Sequence, residues 1–420
     1  MEKFVIEGGA PLRGTVRISG AKNAALPIMA ATMLADEPVT LKGVPRLRDV
    51  ATLAGILAEL GVKVERMGDL LRIETVNPDL IDAPYHMVRK MRASICVLGP
   101  LLAKRRRARV ALPGGCVIGV RPVDLHIKGL RALGADIEIR HGDIIAKADR
   151  LKGAEVYLGG AFGSTVLGTA NLMCAGALAE GKTVIEGAAC EPEVTDLGDF
   201  LNSAGACISG HGTPRIEIEG VSRLSGGEYE VIPDRVETGT FMIAAAATRG
   251  SIKIENARLD HLRAAVDKLQ EIGVEVTPGG GAVHVSAASL PLPTDVVTLP
   301  YPGLPTDLQA QFMALLATAD GISVITEKIF PDRFMHVAEL NRMGASIRKE
   351  GASAVVRGVG ELSGAPVMAS DLRASAALVL AGLAARGITE INRIYHIDRG
   401  YEHIEEKLIR LGASIQRVDV

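Results

Sequence analysis

Apolar and polar positions follow one short pattern along the chain: the end of an amphipathic helix, then a glycine, then a strand of alternating apolar and polar residues. The first copy covers residues 57–62 and the last covers residues 408–413. The glycines of the six copies lie 68 to 73 residues apart, at Gly61, Gly134, Gly205, Gly273, Gly344 and Gly412. Glycine readily takes the positive φ of a helix C-terminus, and a fixed period marks an internal repeat. The pattern therefore predicts six structural repeats.

Each repeat also contains another helix, which precedes the amphipathic helix along the chain and is apolar on more than one face. These helices are predicted over residues 23–34, 167–179, 237–247, 307–317 and 371–385. A turn and a strand follow them, as at residues 251–254 and 322–325. A helix without a polar face is buried, whereas the later helices carry charges on one side and lie at a surface. Each repeat therefore reads β-α-β-α-β-β.

The stretch 224–233 interrupts this pattern after three repeats and is rich in glycine and charge. It predicts a linker between two domains of three repeats each, and the fold class is α/β. A strand at residues 4–6 precedes the first repeat. We expect it to pair with strands of the second half of the chain.

Composition narrows the class of protein. Of the 420 residues 48% are hydrophobic but only 3% are aromatic, so the core is aliphatic, and the net charge of −2 creates no field that attracts nucleic acid. The five cysteines are odd in number and none forms a C-x-x-C pair, which argues against disulfides and zinc and favours reduced thiols in a cytoplasm. They are Cys96, Cys116, Cys174, Cys190 and Cys207.

No segment reads as a membrane span or a signal peptide. The N-terminus lacks a basic region followed by an apolar run. The longest apolar runs, near residues 94–103 and 374–385, fall short of the ~20 residues that cross a bilayer. We expect both runs to be buried helices.

Two further motifs have structural interpretations. Residues 176–183 match the P-loop pattern G-x-x-x-x-G-K-[ST], but here a helix precedes the Gly-Lys pair and a strand follows it, the reverse of a P-loop. The basic run at residues 104–109 contains no aromatic residue and reads as a solvated helix end. The nine histidines form no metal-ligand cluster, so no metal site is predicted.

The most unusual loop in the chain is residues 112–125, where three glycines and a proline surround Cys116 and Arg121 follows five residues later. Glycines at this density mark a loop, and a cationic neighbour favours the thiolate. The residues alone leave two interpretations open: a reactive thiol that meets a ligand, and a free cysteine in a turn.

Other polar residues stand where the repeats place helix starts and loops. Helix N-termini and arginines together bind anions, although each residue alone is typical of a surface ion pair, and Asp307 is also placed to cap a helix. The polar residues at these helix starts and loops are Lys22, Asn23, Arg92, Arg121, Asp307, Arg333, Asp371, Arg373 and Arg399.

Together these features resemble the UDP-N-acetylglucosamine enolpyruvyl transferase family over the whole chain. The resemblance rests on the sixfold repeat, residues 19–24 (Ser-Gly-Ala-Lys-Asn-Ala), the Cys116 loop with Arg-Pro-Val-Asp-Leu at 121–125, and Pro-Thr-Asp at 305–307. It implies two domains, each an inside-out α/β barrel of three repeats. The first domain is then residues 22–231, and the second is residues 1–21 together with 232–420.

The resemblance also implies the reaction. The enolpyruvyl group of phosphoenolpyruvate passes to the 3′-hydroxyl of UDP-N-acetylglucosamine by addition and elimination, with release of phosphate, as the first committed step of peptidoglycan synthesis in the cytoplasm. Cys116 is implied as the acid, and also as a site of covalent addition to phosphoenolpyruvate. Asp307 is implied as the base. Lys22, Arg121 and Arg399 would hold phosphoenolpyruvate, and no metal or organic cofactor is implied.

The remaining implied residues bind substrate, with Arg333, Asp371 and Arg373 near the phosphoenolpyruvate ligands. Contacts to the UDP-sugar are implied for Asn23, Arg92, Arg121, Pro122, Val123, Asp124, Leu125, Gly163, Ser164, Thr165, Val166, Asp307 and Ile329.

Two alternatives remain open. One is the sister enzyme 5-enolpyruvylshikimate-3-phosphate synthase, which the Cys116 loop and the Arg-Pro-Val-Asp-Leu run disfavour. The other is a non-catalytic sugar-nucleotide-binding protein of the same fold, which the intact set of Lys22, Cys116, Asp307 and Arg399 disfavours.

Overall fold

A computed structural model describes residues 2–114, 123–161 and 163–419. Within these ranges the strands are β1 (Glu2–Glu7), β2 (Arg13–Arg17), β3 (Val39–Lys42), β4 (Val62–Met67), β5 (Leu70–Thr75), β6 (Asp82–Ala83), β7 (Arg107–Ala111), β8 (Asp136–Arg140), β9 (Asp143–Lys147), β10 (Glu155–Tyr157), β11 (Lys182–Glu186), β12 (Cys207–Ser209), β13 (Arg215–Glu219), β14 (Gly227–Glu230), β15 (Ser251–Glu255), β16 (Glu275–Gly279), β17 (Ala282–Ser286), β18 (Val296–Thr298), β19 (Ile322–Glu327), β20 (Ser346–Glu350), β21 (Ser353–Arg357), β22 (Pro366–Met368), β23 (Ile388–Asn392) and β24 (Ser414–Asp419).

The α-helices in the same ranges are α1 (Lys22–Ala31), α2 (Arg48–Glu59), α3 (Tyr85–Val88), α4 (Leu98–Arg105), α5 (Asp124–Ala132), α6 (Val166–Ala177), α7 (Pro192–Ser203), α8 (Arg235–Ala247), α9 (Arg263–Glu271), α10 (Gln309–Leu316), α11 (His336–Arg342), α12 (Leu372–Ala384) and α13 (Ile404–Arg410). Short 3₁₀ helices cover Thr32–Leu34, Arg92–Val97, Leu259–His261, Thr306–Leu308 and Ile394–Arg399.

The described chain divides into two compact units. We call residues 20–114 and 123–232 the N-unit, and residues 2–19 and 233–419 the C-unit. Each unit contains three four-stranded sheets, with the strand orders β14-β3-β5-β4, β6-β7-β9-β8 and β10-β11-β13-β12 in the N-unit and β2-β15-β17-β16, β18-β19-β21-β20 and β22-β23-β1-β24 in the C-unit. The predicted sixfold repeat, three copies to a unit, is confirmed.

All six sheets share one design: the first two strands are parallel and the remaining pairs are antiparallel. In the N-unit, β10 is parallel to β11, and β11 and β12 both pair antiparallel with β13. The β1 strand completes the last sheet of the C-unit, antiparallel to both β23 and β24. The predicted return of the first strand to the second half of the chain is therefore confirmed.

The repeat glycines end the surface helices as the pattern predicts. Their φ angles lie between +72° at Gly61 and +102° at Gly205, in the left-handed region that side chains with a Cβ rarely adopt. The strand of each repeat begins one or two residues after the glycine, as β4 does after Gly61.

Burial separates the two kinds of helix. In α1, nine of the ten residues are buried, whereas in α2 only five of twelve are, all on one side. The apolar helices α8, α10 and α12 pack on one another in the C-unit core, and α1, α4 and α6 occupy the N-unit core. The predicted difference between buried and surface helices is confirmed.

The linker prediction needs a correction. Within residues 224–233, Gly227–Glu230 form β14, which pairs parallel with β3 and completes the first sheet of the N-unit. The physical reason is that β3 would otherwise leave an unpaired edge. Because β14 reaches that edge from the far end of the unit, its pairing partner is remote in sequence and the local pattern does not reveal it.

The P-loop match has the predicted structure, whereas the basic run begins as a helix end and continues into a strand. The helix α6 ends at Ala177 and β11 begins at Lys182, so the matching residues form a helix-to-strand turn. In the basic run, α4 ends at Arg105 and β7 begins at Arg107. Among the helices of the described ranges, none has the length and apolar character that crossing a membrane requires.

A buried carboxylate joins β14 to α7. The hydroxyl of Tyr229 donates to Asp196 Oδ1 at 2.6 Å, and the backbone N–H of Ile232 donates to Asp196 Oδ2 at 3.3 Å. Burial raises the pKa of Asp196 to about 6, against the partial opposition of the Tyr229 hydrogen bond. The native state therefore binds this proton more tightly than the unfolded chain does.

This difference predicts a pH-dependent contribution to stability. Between about pH 4 and pH 6 the folded protein holds the Asp196 proton and the unfolded chain releases it, so the free energy of unfolding falls as pH rises, by about 2–3 kcal/mol. Asp196→Asn abolishes this term, so the melting temperature of the variant relative to wild type rises from pH 4 to pH 7. Asp267→Asn, an exposed position on α9, is the control and shows no such trend; a flat difference for Asp196→Asn would contradict the prediction.

Candidate functional site

In the C-unit, the carboxylate of Asp307 lies between two arginines. Asp307 Oδ1 is 2.8 Å from Arg333 Nη1, and Asp307 Oδ2 is 3.0 Å from Arg373 Nη2. The arginine side chains are only 7% and 2% exposed, whereas that of Asp307 is 25% exposed. One carboxylate thus faces two buried guanidinium groups, and the three-residue cluster carries an excess of positive charge.

The local structure around Asp307 is consistent with its role as the ion-pair partner of Arg333 and Arg373. Pro305 precedes the 3₁₀ helix Thr306–Leu308, which leads directly into α10. The N-cap residue of α10 is Leu308, whose side chain has no hydrogen-bond acceptor. The backbone carbonyl of Asp307 accepts from Gln311 Nε2 at 2.9 Å, which holds the residue against the first turn of α10. The cap interpretation of Asp307 is therefore replaced by an ion-pair cluster.

Asp371, in contrast, is a helix cap. Its Oδ1 accepts from the backbone N–H groups of Arg373 at 2.8 Å and Ala374 at 3.1 Å, at the start of α12. The cap fixes the first turn of α12, from which the Arg373 guanidinium reaches Asp307. The guanidinium carbon also lies 5.3 Å from the centre of the Tyr401 ring. Asp371 and Tyr401 thus both help to hold Arg373 in place.

Arg399 and Ile329 also belong to the C-unit. Arg399 is the last residue of the 3₁₀ helix Ile394–Arg399 and is half-buried. It is close enough to His396 for its charge, after burial, to lower the pKa of that imidazole. Ile329 lies in the turn after β19, and its backbone N–H donates to Glu327 Oε1 at 2.8 Å.

Glu327 is a residue that the sequence analysis missed. It is fully buried at the end of β19 and accepts hydrogen bonds from several groups around Asp307, including the hydroxyl of Thr306 at 2.8 Å. The sequence contains a signal that could have identified Glu327. Every second residue of β19 faces the core, and Glu327 occupies such a position together with Ser323 and Ile325. A charged residue at an inward-facing position requires partners, because burying an unpaired charge is very unfavourable.

In the N-unit, Lys22 is the first residue of α1 and is followed by the half-buried Asn23. Lys22 Nζ lies 3.1 Å from Oδ2 of Asp49, which belongs to the first turn of α2. Both side chains are almost completely buried, so this contact fixes the ammonium group at the start of α1. Asp49 was not among the predicted residues.

Arg92 lies beside a buried histidine. Burial and then the charge of Arg92 lower the pKa of His126 to about 3, so the imidazole is neutral. The side-chain amide of Asn171 donates to His126 Nδ1 at 2.9 Å, and its Oδ1 accepts from the backbone N–H of Gly99 at 2.7 Å. Because Nδ1 accepts this bond, the proton of the neutral ring is on Nε2. Arg92 therefore faces an uncharged neighbour.

Two predicted sugar-nucleotide segments meet in the N-unit. Val123 is buried, and Asp124 and Leu125 begin α5. Gly160 and Gly163 form a narrow bridge, with N···O distances of 2.8 and 3.2 Å, and a Cβ on Gly160 would lie 3.2 Å from Leu125 Cδ1. Ser164 follows the bridge, Thr165 Oγ1 accepts from the backbone N–H of Gly168, and Val166 begins α6. Gly160 and Leu125 thus bring the two segments close together.

Three predicted residues, Cys116, Arg121 and Pro122, lie outside the described residues. The other cysteines differ in accessibility. Burial raises the pKa of both Cys96 and Cys174, and also that of the half-buried Cys190, whereas Cys207 is exposed on β12. Across the ranges that the structure covers, no three His, Cys, Asp or Glu side chains are grouped in a way that could hold a metal ion.

Comparisons with known proteins agree along the full length. A family model described as EPSP synthase (3-phosphoshikimate 1-carboxyvinyltransferase) matches residues 6–408. Proteins named UDP-N-acetylglucosamine 1-carboxyvinyltransferase are 54% identical over 418 residues in Desulfosudis oleivorans, covering all of both chains, and 55% identical over 419 residues in Trichlorobacter lovleyi, covering 100% of this chain and 99% of the other.

Solved structures give the same fold. The enolpyruvyl transferase NikO from Streptomyces tendae superposes with a TM-score of 0.89 at 25% identity and covers 100% of this chain and 99% of its own. An EPSP synthase from Acinetobacter baumannii superposes with a TM-score of 0.75 at 19% identity over all of both chains, and at this identity it supports the fold alone. The resemblance drawn from the sequence is confirmed by these relatives.

Proposed function

The chain belongs to the enolpyruvyl transferase (carboxyvinyltransferase) family, and we propose that it transfers the enolpyruvyl group of phosphoenolpyruvate to the 3′-hydroxyl of UDP-N-acetylglucosamine. Phosphate is released, and the product is a precursor of peptidoglycan. The relatives that are 54–55% identical carry the name of this activity, and they match the whole chain. The observation on the molecule that carries the proposal is the Asp307 carboxylate held between Arg333 and Arg373.

The reaction requires a proton acceptor for the sugar hydroxyl and a proton donor for the enol carbon. In the addition step the hydroxyl oxygen bonds to C2 of phosphoenolpyruvate while C3 receives a proton; in the elimination step the C2–O bond to phosphate breaks and C3 loses a proton. Asp307 is partly exposed, and we assign it as the acceptor of the hydroxyl proton. Cys116 is the proposed donor, and its thiol can also add covalently to phosphoenolpyruvate.

The charge of the substrates explains the cationic residues. Phosphoenolpyruvate carries a phosphate and a carboxylate, for which guanidinium and ammonium groups are the natural partners. We assign Lys22, Arg121 and Arg399 to these groups, with Arg333 and Arg373 in support. The buried Lys22–Asp49 and Asp307–Arg333 contacts fix two of these cations before any substrate binds, which limits reorganisation during the reaction.

The sugar nucleotide is assigned to the remaining predicted residues. Residues 123–125 and 163–166 are proposed to contact it, together with Asn23, Arg92, Pro122 and Ile329. The neutral state of His126 adds no second positive charge beside Arg92. The Asp371 cap is proposed to act on substrate through the orientation of Arg373. No metal or organic cofactor takes part in the proposed reaction, whose setting is the cytoplasmic phase of cell-wall synthesis.

Release of inorganic phosphate tests the proposal directly. The purified protein is incubated with phosphoenolpyruvate and one of three additions: UDP-N-acetylglucosamine, shikimate 3-phosphate or buffer. We expect steady phosphate release with the UDP-sugar only, accompanied by a product heavier by one enolpyruvyl group. Release that depends on shikimate 3-phosphate would identify the sister reaction, and binding of the UDP-sugar without turnover would identify a non-catalytic binding protein.

A further inference from the structure

Glu327 accepts four hydrogen bonds, divided between its two carboxylate oxygens. Oε1 receives the hydroxyl of Thr298 at 2.6 Å and the backbone N–H groups of Ile329 and Phe330 at 2.8 and 3.0 Å. Oε2 receives the hydroxyl of Thr306 at 2.8 Å. Oε1 thus holds the turn that leads to Arg333, and Oε2 holds the residue that precedes Asp307.

The Thr306 hydroxyl connects this buried carboxylate to the candidate site. Arg333 Nη1 donates to Thr306 Oγ1 at 3.0 Å and to Asp307 Oδ1 at 2.8 Å. A hydroxyl has a single proton, and Thr306 uses it on Glu327. The direction of the chain of hydrogen bonds is therefore fixed: Arg333 donates to Thr306, and Thr306 donates to Glu327.

We infer that Glu327 is a positioning residue that sets the Arg333–Asp307 contact through Thr306. This inference rests on the proposed function, because it assigns to Glu327 the geometry of the proposed base. Glu327 is fully buried and acts on the reaction only through the two residues that it holds. Through Thr306 it favours the observed orientation of Arg333 over the other directions in which a guanidinium can point.

Glu327 could instead serve only to hold the turn after β19. The variant Glu327→Gln distinguishes this purely structural role from the positioning role. The glutamine oxygen can keep the three donors of Oε1, so the turn after β19 is preserved. Its amide nitrogen replaces Oε2 and is a donor, so Thr306 Oγ1 then faces two donors and cannot satisfy its own proton toward position 327. The substitution therefore removes the bond that Thr306 donates to position 327, which weakens the hold of Thr306 on Arg333 while the turn remains in place.

The experiment uses Glu327→Gln, Thr306→Val and both together, with Thr326→Val as the matched control. Thr326 is the neighbour of Glu327 on β19, faces the opposite side of the strand, and shares a hydrogen bond of 2.9 Å with Ser353 Oγ. For each variant we would measure kcat, the KM of both substrates and the melting temperature, and determine a crystal structure.

We expect kcat to fall about 10- to 100-fold in each single variant and no further in the double variant, because both changes break one connection. The crystal structures of the single variants should show the Arg333–Asp307 contact lengthened beyond hydrogen-bond distance. The control should retain that contact and a kcat within about twofold of wild type. Additive losses, a loss of equal size in Thr326→Val, or an unchanged Arg333–Asp307 contact would each overturn the inference.

The proposed function can fail separately. Wild-type protein that releases no phosphate would remove the proposed reaction, and the crystal structures would then decide alone whether Glu327 positions Arg333. If wild-type protein is active but Glu327→Gln retains full kcat and an unchanged Arg333–Asp307 contact, the proposed function stands and the positioning role is wrong.

Discussion

We expect Asp307→Asn to lower kcat by about 10²- to 10⁴-fold, the range associated with loss of a general base. Asparagine keeps the shape of the side chain but cannot accept the proton of the sugar hydroxyl. The variant also removes the negative charge that faces two buried arginines, and an uncompensated buried charge destabilises a protein by up to roughly 3–5 kcal/mol. The melting temperature should therefore fall as well. Initial rates measured well below that temperature, with the folded fraction determined by circular dichroism, give the catalytic loss alone.

Glu405→Gln is the control for the loss of stability. Glu405 Oε1 pairs with Arg417 Nε at 2.7 Å in the same unit, and its side chain is 10% exposed. We expect this variant to melt earlier than wild type yet to keep kcat within about twofold. If Asp307→Asn keeps kcat within tenfold of wild type, Asp307 serves only to balance the arginine charges and another group is the base.

The second large effect concerns Cys116. We expect Cys116→Ala to lose about 10²-fold or more of kcat, whereas Cys116→Asp retains part of it, because a carboxylic acid can also donate a proton. One equivalent of a small alkylating agent should inactivate the wild-type protein and modify Cys116. Burial protects Cys96 and Cys174 from the reagent, since it disfavours their reactive thiolates.

Cys207 is exposed and is the side chain most able to compete for the reagent. The Cys207→Ala variant is therefore the matched control: its rate of inactivation should equal that of wild type, and peptide mapping should place the label on Cys116. Full activity of Cys116→Ala, or inactivation that follows modification of Cys207, would remove Cys116 from the mechanism.

The sequence was most informative where a feature repeats. Six glycines at one period predicted the sheets and the surface helices because each glycine meets the same local requirement, a positive φ at a helix end. Sequence reasoning failed where a partner is distant along the chain. The pairing of β14 with β3 joins residues 227–230 to residues 39–42, so the local pattern suggested a linker. Glu327 was missed for the same reason, because its partners Thr298 and Thr306 come from other segments.

Distant partners also determine the roles of the carboxylates at helix starts, and the sequence does not reveal these partners. Asp307 and Asp371 both precede apolar helices, and the sequence offered no means to tell a cap from an ion-pair partner. In the structure Asp371 accepts backbone N–H groups and Asp307 accepts guanidinium groups. The difference is made by the buried arginines, one of which, Arg373, follows the cap by only two residues. The assignments of catalytic role to Asp307, Cys116, Lys22 and Arg399 stay predictions.

The position of β1 determines the order in which the two units can form during synthesis. All strands and helices of the N-unit come from one continuous stretch, so this unit can fold as soon as residue 232 has left the ribosome. The C-unit sheet that contains β1 also requires β24, so residues 2–7 must wait until residues 414–419 have been made. Closing so long a loop is entropically costly and slow. A ribosome paused after the N-unit would therefore carry one folded unit and two strands, β1 and β2, whose pairing partners have not yet been made.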